Sequence, residues 1–269
     1  MKENQCFQRE RQYLTDLSDA EWEQVQELIP KPKSGGRPPK HSRREILNGI
    51  RYVVRAGGAW RLLPHDLPAW KTVYHYFRLW AIQGIWGAIH DRLREQVRRA
   101  LGRKPTPSAA VLDSQSVKTA DQGGERGYDA GKKVNGRKRH VLVDTLGLLL
   151  GVVVTAANVT DPEGAVQLLA KRFMDFARLA VIWADSAYRG LFVRWVKSLR
   201  PYGRLHLEVV SGLAGQKGFQ VQPKRWIVER TFGWLCKFRR LRVDYEKSTR
   251  HSEAMIQLAM INIMLRRLA

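Results

Sequence analysis

Three acidic residues stand where chemistry could be assembled. Asp113 closes the apolar run Ala109-Ala-Val-Leu, Asp185 closes a second, Leu179-Ala-Val-Ile-Trp-Ala, and Glu229 interrupts a stretch otherwise rich in arginine and bulky apolar groups. Carboxylates are hard oxygen ligands, and three together could hold two Mg2+ ions about 4 Å apart, with Mn2+ able to substitute. Ions so spaced stabilise the attacking and leaving oxygens of a phosphodiester displacement. The plainer reading of each acid is a salt-bridge partner in a cation-rich chain. Their shared placement at the exits of core elements argues for a common task.

Other constellations are weaker. His140, His206 and His251 have neither a nucleophile nor cysteines at metal-ligand spacing beside them, Cys6 and Cys236 read as free thiols, and no phosphate-cradling glycine loop for ATP is present.

The elements that must position the acids follow from periodicity. Ser18 and Glu21 form a capping pair before a helix expected over 19–28, and a breaker-rich basic loop follows over 30–40. Ser42 opens a second helix that Gly57-Gly58 ends, and Pro68 precedes a third over 71–81. This is helix-turn-helix grammar. Its aromatic residues suit a small helical core, which leaves Arg61, Lys71, His75 and Arg78 as the better nucleic-acid contacts. An arginine-rich helix over 86–101 leads to a short linker at 104–107.

Past that linker the texture changes. Strands are expected over 109–114, 138–145 and 148–156, then a helix over 162–176, a strand over 179–185, a helix over 190–199 and a strand over 206–210. Helices over 224–240 and 252–268 complete the chain. The last is apolar nearly all round and so belongs in a core. This order predicts an α/β fold of ribonuclease-H-like type, a mixed sheet with flanking helices, over 105–269. An all-helical, helix-turn-helix-like segment over 1–104 precedes it.

On the 224–240 helix, Arg225 and Glu229 share a face. Arg225 could pair with Glu229 or reach a phosphate. Lys118 and the basic residues Lys132, Lys133, Arg137, Lys138 and Arg139 are further candidates for DNA contact, the last five in a mobile basic loop or the lead-in to a hairpin. Asp161, before Pro162, is expected to cap the following helix, with a place near the metals as the alternative.

Lys and Arg number 47 against 25 Asp and Glu, a formal charge of +22, while 44% of the residues are hydrophobic. That describes a folded basic protein, not a disordered tail, and nucleic acid is the commonest partner to offset such a field. Residues 1–50 carry 9 basic and 8 acidic side chains, whereas 51–104 carry 11 and 3. The start is polar, without the apolar centre of a secretory signal, and the longest apolar run falls short of the roughly twenty residues that span a bilayer. A cytoplasmic protein without a membrane partner is expected.

Several stretches resemble insertion-sequence DDE transposases of the insertion sequence five family. They are Leu14-Thr-Asp-Leu-Ser-Asp-Ala-Glu-Trp22, Gly36-Arg-Pro-Pro-Lys40, Trp60-Arg-Leu-Leu-Pro64, Trp70-Lys-Thr-Val-Tyr74, Val111-Leu-Asp-Ser-Gln-Ser-Val-Lys118, Gly127-Tyr-Asp-Ala-Gly-Lys-Lys133, Ala184-Asp-Ser-Ala-Tyr-Arg-Gly190 and Arg225-Trp-Ile-Val-Glu-Arg-Thr-Phe-Gly-Trp234. The resemblance spans nearly the whole chain and places the family's catalytic triad on Asp113, Asp185 and Glu229 and its arginine on Arg225. It departs at Gln222 and Cys236, where relatives often carry Tyr and Lys. Only 44 positions separate Asp185 from Glu229, too few for the large β-rich insertion of some relatives.

The resemblance implies metal-dependent hydrolysis and strand transfer at the terminal inverted repeats of an element, with double-stranded DNA, both element ends and target, as partner. It further implies a homodimer or higher assembly on that DNA in a bacterial, nucleoid-associated setting. A nuclease or resolvase on the same fold, and a DNA-binding regulator without catalysis, are the alternatives.

Overall fold

Strands covered on both faces read as near-continuous apolar runs, and β4 (Leu149–Ala156), buried at every position, is one. It pairs antiparallel with β3 (Val134–Asp144), which pairs antiparallel on its other side with β1 (Ala109–Lys118). The short β2 (Gly127–Asp129) continues the β4 flank of β3. Beyond β1 the pairing changes from antiparallel to parallel. β5 (Val181–Ala184) runs parallel to β1, and β6 (His206–Val209) parallel to β5. The result is a six-stranded mixed sheet. The computed structural model describes residues 12–32, 39–121, 124–199, 205–210 and 224–269. The polar leader with Cys6, most of the 30–40 loop and Gln222 lie outside the described residues.

Helices close both faces. On one side α5 (Asp161–Arg172) and α6 (Leu191–Ser198) cover a core of Leu112, Leu142, Val153, Leu168, Ile182, Tyr188 and Phe192. On the other lie α7 (Trp226–Cys236) and α8 (Thr249–Leu268), joined by α1 (Asp19–Glu23), α2 (Arg43–Ala56), α3 (Trp70–Ile82) and α4 (Ile85–Ala100). That second core runs without a break from Leu17 and Val97 to Val111, Val141 and Met264, across the expected boundary at residue 104. Burying α8 therefore requires the N-terminal helices. Among the described residues no helix is long and apolar enough to cross a membrane.

Some expectations are corrected. Of the two readings of the segment 127–140 the hairpin holds and the loop does not, because β3 is a central strand with partners on both edges. The helix expected over 224–240 ends at Cys236, and a separate turn covers Arg239–Leu241. The first helix is only Asp19–Glu23, followed by a turn at Gln26–Leu28.

Candidate active site

Strand register brings two of the three acids together. Val111 lies opposite Trp183 in the parallel β1–β5 pair, and side chains alternate along a strand. Two residues on, Asp113 and Asp185 therefore emerge side by side on the α7 face. The Ser114 N–H donates to Asp113 Oδ1 (2.7 Å) and the Ala187 N–H to Asp185 Oδ1 (2.9 Å). The remaining oxygen of each lies 3.8 Å from Arg225 Nη2. Burial pushes the Asp113 carboxyl up to about 6; the Ser114 N–H and Arg225 pull against this, and Asp185 adds to it.

Arg225 is the N-cap residue of α7, so the placement of that helix governs the site. Val228, Thr231, Phe232 and Leu235 bury one face of α7. Thr231 Oγ1 donates to the Gly147 carbonyl (2.9 Å) and Arg230 to the Leu146 carbonyl (3.1 Å), which docks α7 on the β3–β4 turn. Before the helix, Lys224 and Trp183 both donate to Glu208, at 2.9 and 2.7 Å, tying its start to β5 and β6. Glu229 sits one turn beyond Arg225 and is exposed. No ion pair joins it to Arg225, which turns to the two aspartates instead.

On the opposite face of β1, a polar network backs the site. Ser114 Oγ donates to Asp161 Oδ1 (2.8 Å), Lys132 Nζ reaches Ser114 Oγ (3.2 Å), and buried Lys138 joins Asp161 (3.0 Å) to Asp129 (3.3 Å). The helix cap expected of Asp161 belongs to Thr160, which forms a capping box with Glu163. Asp161, one position later, is free to face Ser114. Sequence reasoning missed Ser114 and Tyr188. Tyr188 is fully buried, and its phenol is pushed well above its usual range by burial and then by the charges of Asp113, Asp161 and Asp185. Their only signal was proximity to the two aspartates in the sequence.

Residues 104–264 match the family described as "Transposase DDE domain", well over half of the chain, and residues 17–90 match that described as "Putative transposase of IS4/5 family". The chain belongs to the DDE transposases. Among similar proteins, a Burkholderia cepacia protein named "Putative transposase for insertion sequence element IS402" is 32% identical over 120 residues, covering 42% of this chain. The matched stretch spans 54% of that relative. "Insertion element IS402 uncharacterized 16.2 kDa protein", from the same organism, is 31% identical over 118 residues, covering 41% of this chain and 78% of its own. The transposase is thus an insertion-sequence protein of the IS4/5 type with a ribonuclease-H-like mixed sheet.

Two of the three expected donors of this transposase, Asp113 and Asp185, have the hard oxygen chemistry and the placement that suit a divalent ion. Asp113 and Asp185 each turn one oxygen toward the Arg225 guanidinium. The three acids do not converge: among the described residues no group of three His, Cys, Asp or Glu is placed to hold a metal. Glu229 is on the correct helix but stands apart.

The basic residues named from the sequence divide sharply. Arg61, Lys71, His75 and Arg78 are all exposed around α3, with Arg61 and Lys71 5.4 and 5.9 Å from the Trp70 ring centre and Arg78 5.9 Å from that of Tyr74. Lys118, Lys132 and Lys133 are exposed too. Arg137, Lys138 and Arg139 are buried. Arg137 binds Asp244 (3.2 Å), Ser252 (2.9 Å) and the Glu246 carbonyl (2.6 Å), and Arg139 donates to the Leu241 carbonyl (2.9 Å). A strand covered on both faces has no side to offer solvent, so the DNA contact expected of these three residues is corrected.

Proposed function

We propose that this transposase binds the ends of its element, cleaves the phosphodiester there to free a 3′ hydroxyl, and joins that hydroxyl to target DNA. The observation that carries this is the Asp113–Asp185 pair on adjacent parallel strands, each with one oxygen fixed by a backbone N–H and the other open toward Arg225. Asp113 and Asp185 would hold two Mg2+ or Mn2+ ions, with Glu229 completing the set once α7 brings it to the pair, and the ions would supply stabilisation of charge on the attacking and leaving oxygens. Arg225 places a fixed positive charge beside the acids for the phosphate, and Lys132 a second from the β2–β3 hairpin.

The segment 1–104 is assigned to recognition and 105–269 to catalysis. Lys71 and Arg78 lie seven residues apart on the open side of α3 and Arg61 in the turn Trp60–Leu62 before it, each beside an aromatic ring, which suits contact with duplex DNA. Lys118 at the end of β1 and Lys133 in the β2–β3 turn offer further exposed positive charge. Two ends must be handled together, so a homodimer or higher assembly on DNA is assigned, acting at the bacterial nucleoid in the cytoplasm.

The test is incubation of labelled element-end DNA with Mg2+ or Mn2+, comparing wild type with Asp185→Asn. Strand-transferred products made by wild type and lost in the variant support the reading. Cleavage without joining would assign a nuclease, and metal-insensitive binding alone a regulator.

A further inference from the structure

At the far end of α7 from the aspartates, a cavity of about 370 Å3 opens against α2 and α8. Arg55, Lys237, Arg266 and Arg267 line it beside Trp234 and Phe238. The four cations are exposed, and their hydrogen bonds go to carbonyls: Arg55 to that of Lys237 (2.8 Å) and Arg266 to that of Leu14 (3.3 Å). The one acid whose charge Arg267 feels, Asp144, is already paired with Arg98.

The guanidiniums are held in place by aromatic rings. Arg267 and Arg230 lie 4.7 and 4.8 Å from the centre of the same Trp234 ring, and Arg55 lies 5.3 Å from that of Phe238. Burial, then the charge of Arg230, depresses the pKa of Arg267. Like charges are thus packed together with no anion of the described chain between them, an arrangement that costs stability unless a polyanion completes it. Arginine forks match phosphate oxygens, and here they are pre-positioned.

The outer face of α7 connects this pocket to the carboxylates. Glu229, Gly233 and Cys236 are exposed along it, and a Cβ built at Gly233 meets nothing within 4 Å. Glu229 and Lys237 are eight residues apart, about 12 Å of helix rise, which a DNA strand spans in roughly three to four nucleotides. We propose that this pocket grips backbone phosphates of the DNA strand leading away from the reacting bond along α7. The proposal rests on the reading of the chain as a DNA-processing transposase.

The test measures binding of element-end duplex in the absence of metal, across a salt titration, for wild type, Arg266→Gln/Arg267→Gln and Arg55→Gln. Each lost phosphate contact lowers the slope of log affinity against log salt by about 0.9, so a drop of roughly 1.8 is expected for the double variant and about 0.9 for Arg55→Gln. Methylphosphonates placed roughly three to four nucleotides from the reacting bond should reproduce the loss in wild type and add little in the variants. Unchanged slopes in variants that retain the wild-type near-UV spectrum would overturn the pocket alone. So would stabilisation by inorganic phosphate with DNA binding untouched, which would mark a small-anion site. Should the double variant fail to fold, Arg55→Gln and the methylphosphonates decide. Wild type that binds no DNA would overturn the underlying reading as well.

Discussion

Ser114 Oγ donates to Asp161 Oδ1 at 2.8 Å, tying the strand that carries Asp113 to the first turn of α5. The same carboxylate oxygen lies 3.0 Å from buried Lys138. Asp161→Ala should therefore destabilise the fold by about 1–3 kcal/mol, since it strips partners from a buried hydroxyl and a buried ammonium. Asp161→Asn, which can still accept from Ser114, should cost less. Urea denaturation of both variants measures this, and an unchanged midpoint for Asp161→Ala would remove the network from the account.

Around Asp113 the two neighbours act in opposite senses. Arg225 lowers its pKa from what burial alone would set and Asp185 raises it. In metal-free protein, Arg225→Ala should move the Asp113 titration above about 6, and Asp185→Asn should move it below. The folded value exceeds the unfolded one, so this group's stabilising contribution is complete below the ordinary carboxyl range. It fades as pH rises through about 6. Carbon-detected titration of the aspartate carboxyls gives the answer, and shifts of the same sign would refute it.

His140 has the reverse dependence. Its ring is fully buried against Gly164, where a Cβ would lie 2.1 Å from the imidazole, and burial lowers its pKa from 6.5 to about 4. Thr155 Oγ1 donates to the Ala156 carbonyl, so it accepts from His140 Nε2–H at 3.0 Å, which puts a ring proton on Nε2. The folded value is depressed for a base, so stability falls as pH drops from 6.5 toward 4, by on the order of 3 kcal/mol. His140→Gln should flatten that slope of unfolding free energy against pH. A slope equal to wild type would show that another group carries it.

Much of this was legible in the sequence because the signals were local. The apolar runs ending in Asp113 and Asp185 marked two strands, and Ser18 with Glu21 and Ser42 with its following helix marked their own caps. What was not legible depended on pairing. The basic run Arg137-Lys-Arg139 reads as solvent-facing, in a loop or a hairpin lead-in, until β3 gains partners on both edges, whereupon alternation sends each cation into a covered face. Glu229 could be placed on a helix from spacing, but its approach to the aspartates depends on how α7 docks, which no local pattern encodes.

Arg137 makes that difference measurable. It lies in a buried cluster with Asp244, Ser252 and the carbonyls of Glu246 and Lys247, which pins the segment after α7 to β3. Arg137→Ala leaves Asp244 uncompensated inside the core, a loss of about 3–5 kcal/mol. A lowering of Tm on the order of 10 °C should follow. A surface phosphate contact would instead leave Tm alone and weaken DNA binding, so calorimetry beside a salt titration separates the two roles.

Gly147 sets where α7 lies. It adopts φ +80 in the β3–β4 turn, and a Cβ there would meet Thr231 Oγ1 and the Trp234 ring at 2.9 Å. Gly84 has a similar φ of +72 but open space around it. Gly84→Ala should therefore cost only the backbone penalty, about 1–2 kcal/mol. Gly147→Ala adds the collision with α7, a further roughly 1–3 kcal/mol. Because α7 also begins with Arg225, the displacement should reach the site: Asp113 should titrate higher in Gly147→Ala, as its guanidinium neighbour moves off, and remain unchanged in Gly84→Ala. Equal losses of stability in the two variants, or an unmoved Asp113, would mean that the β3–β4 turn does not position the helix.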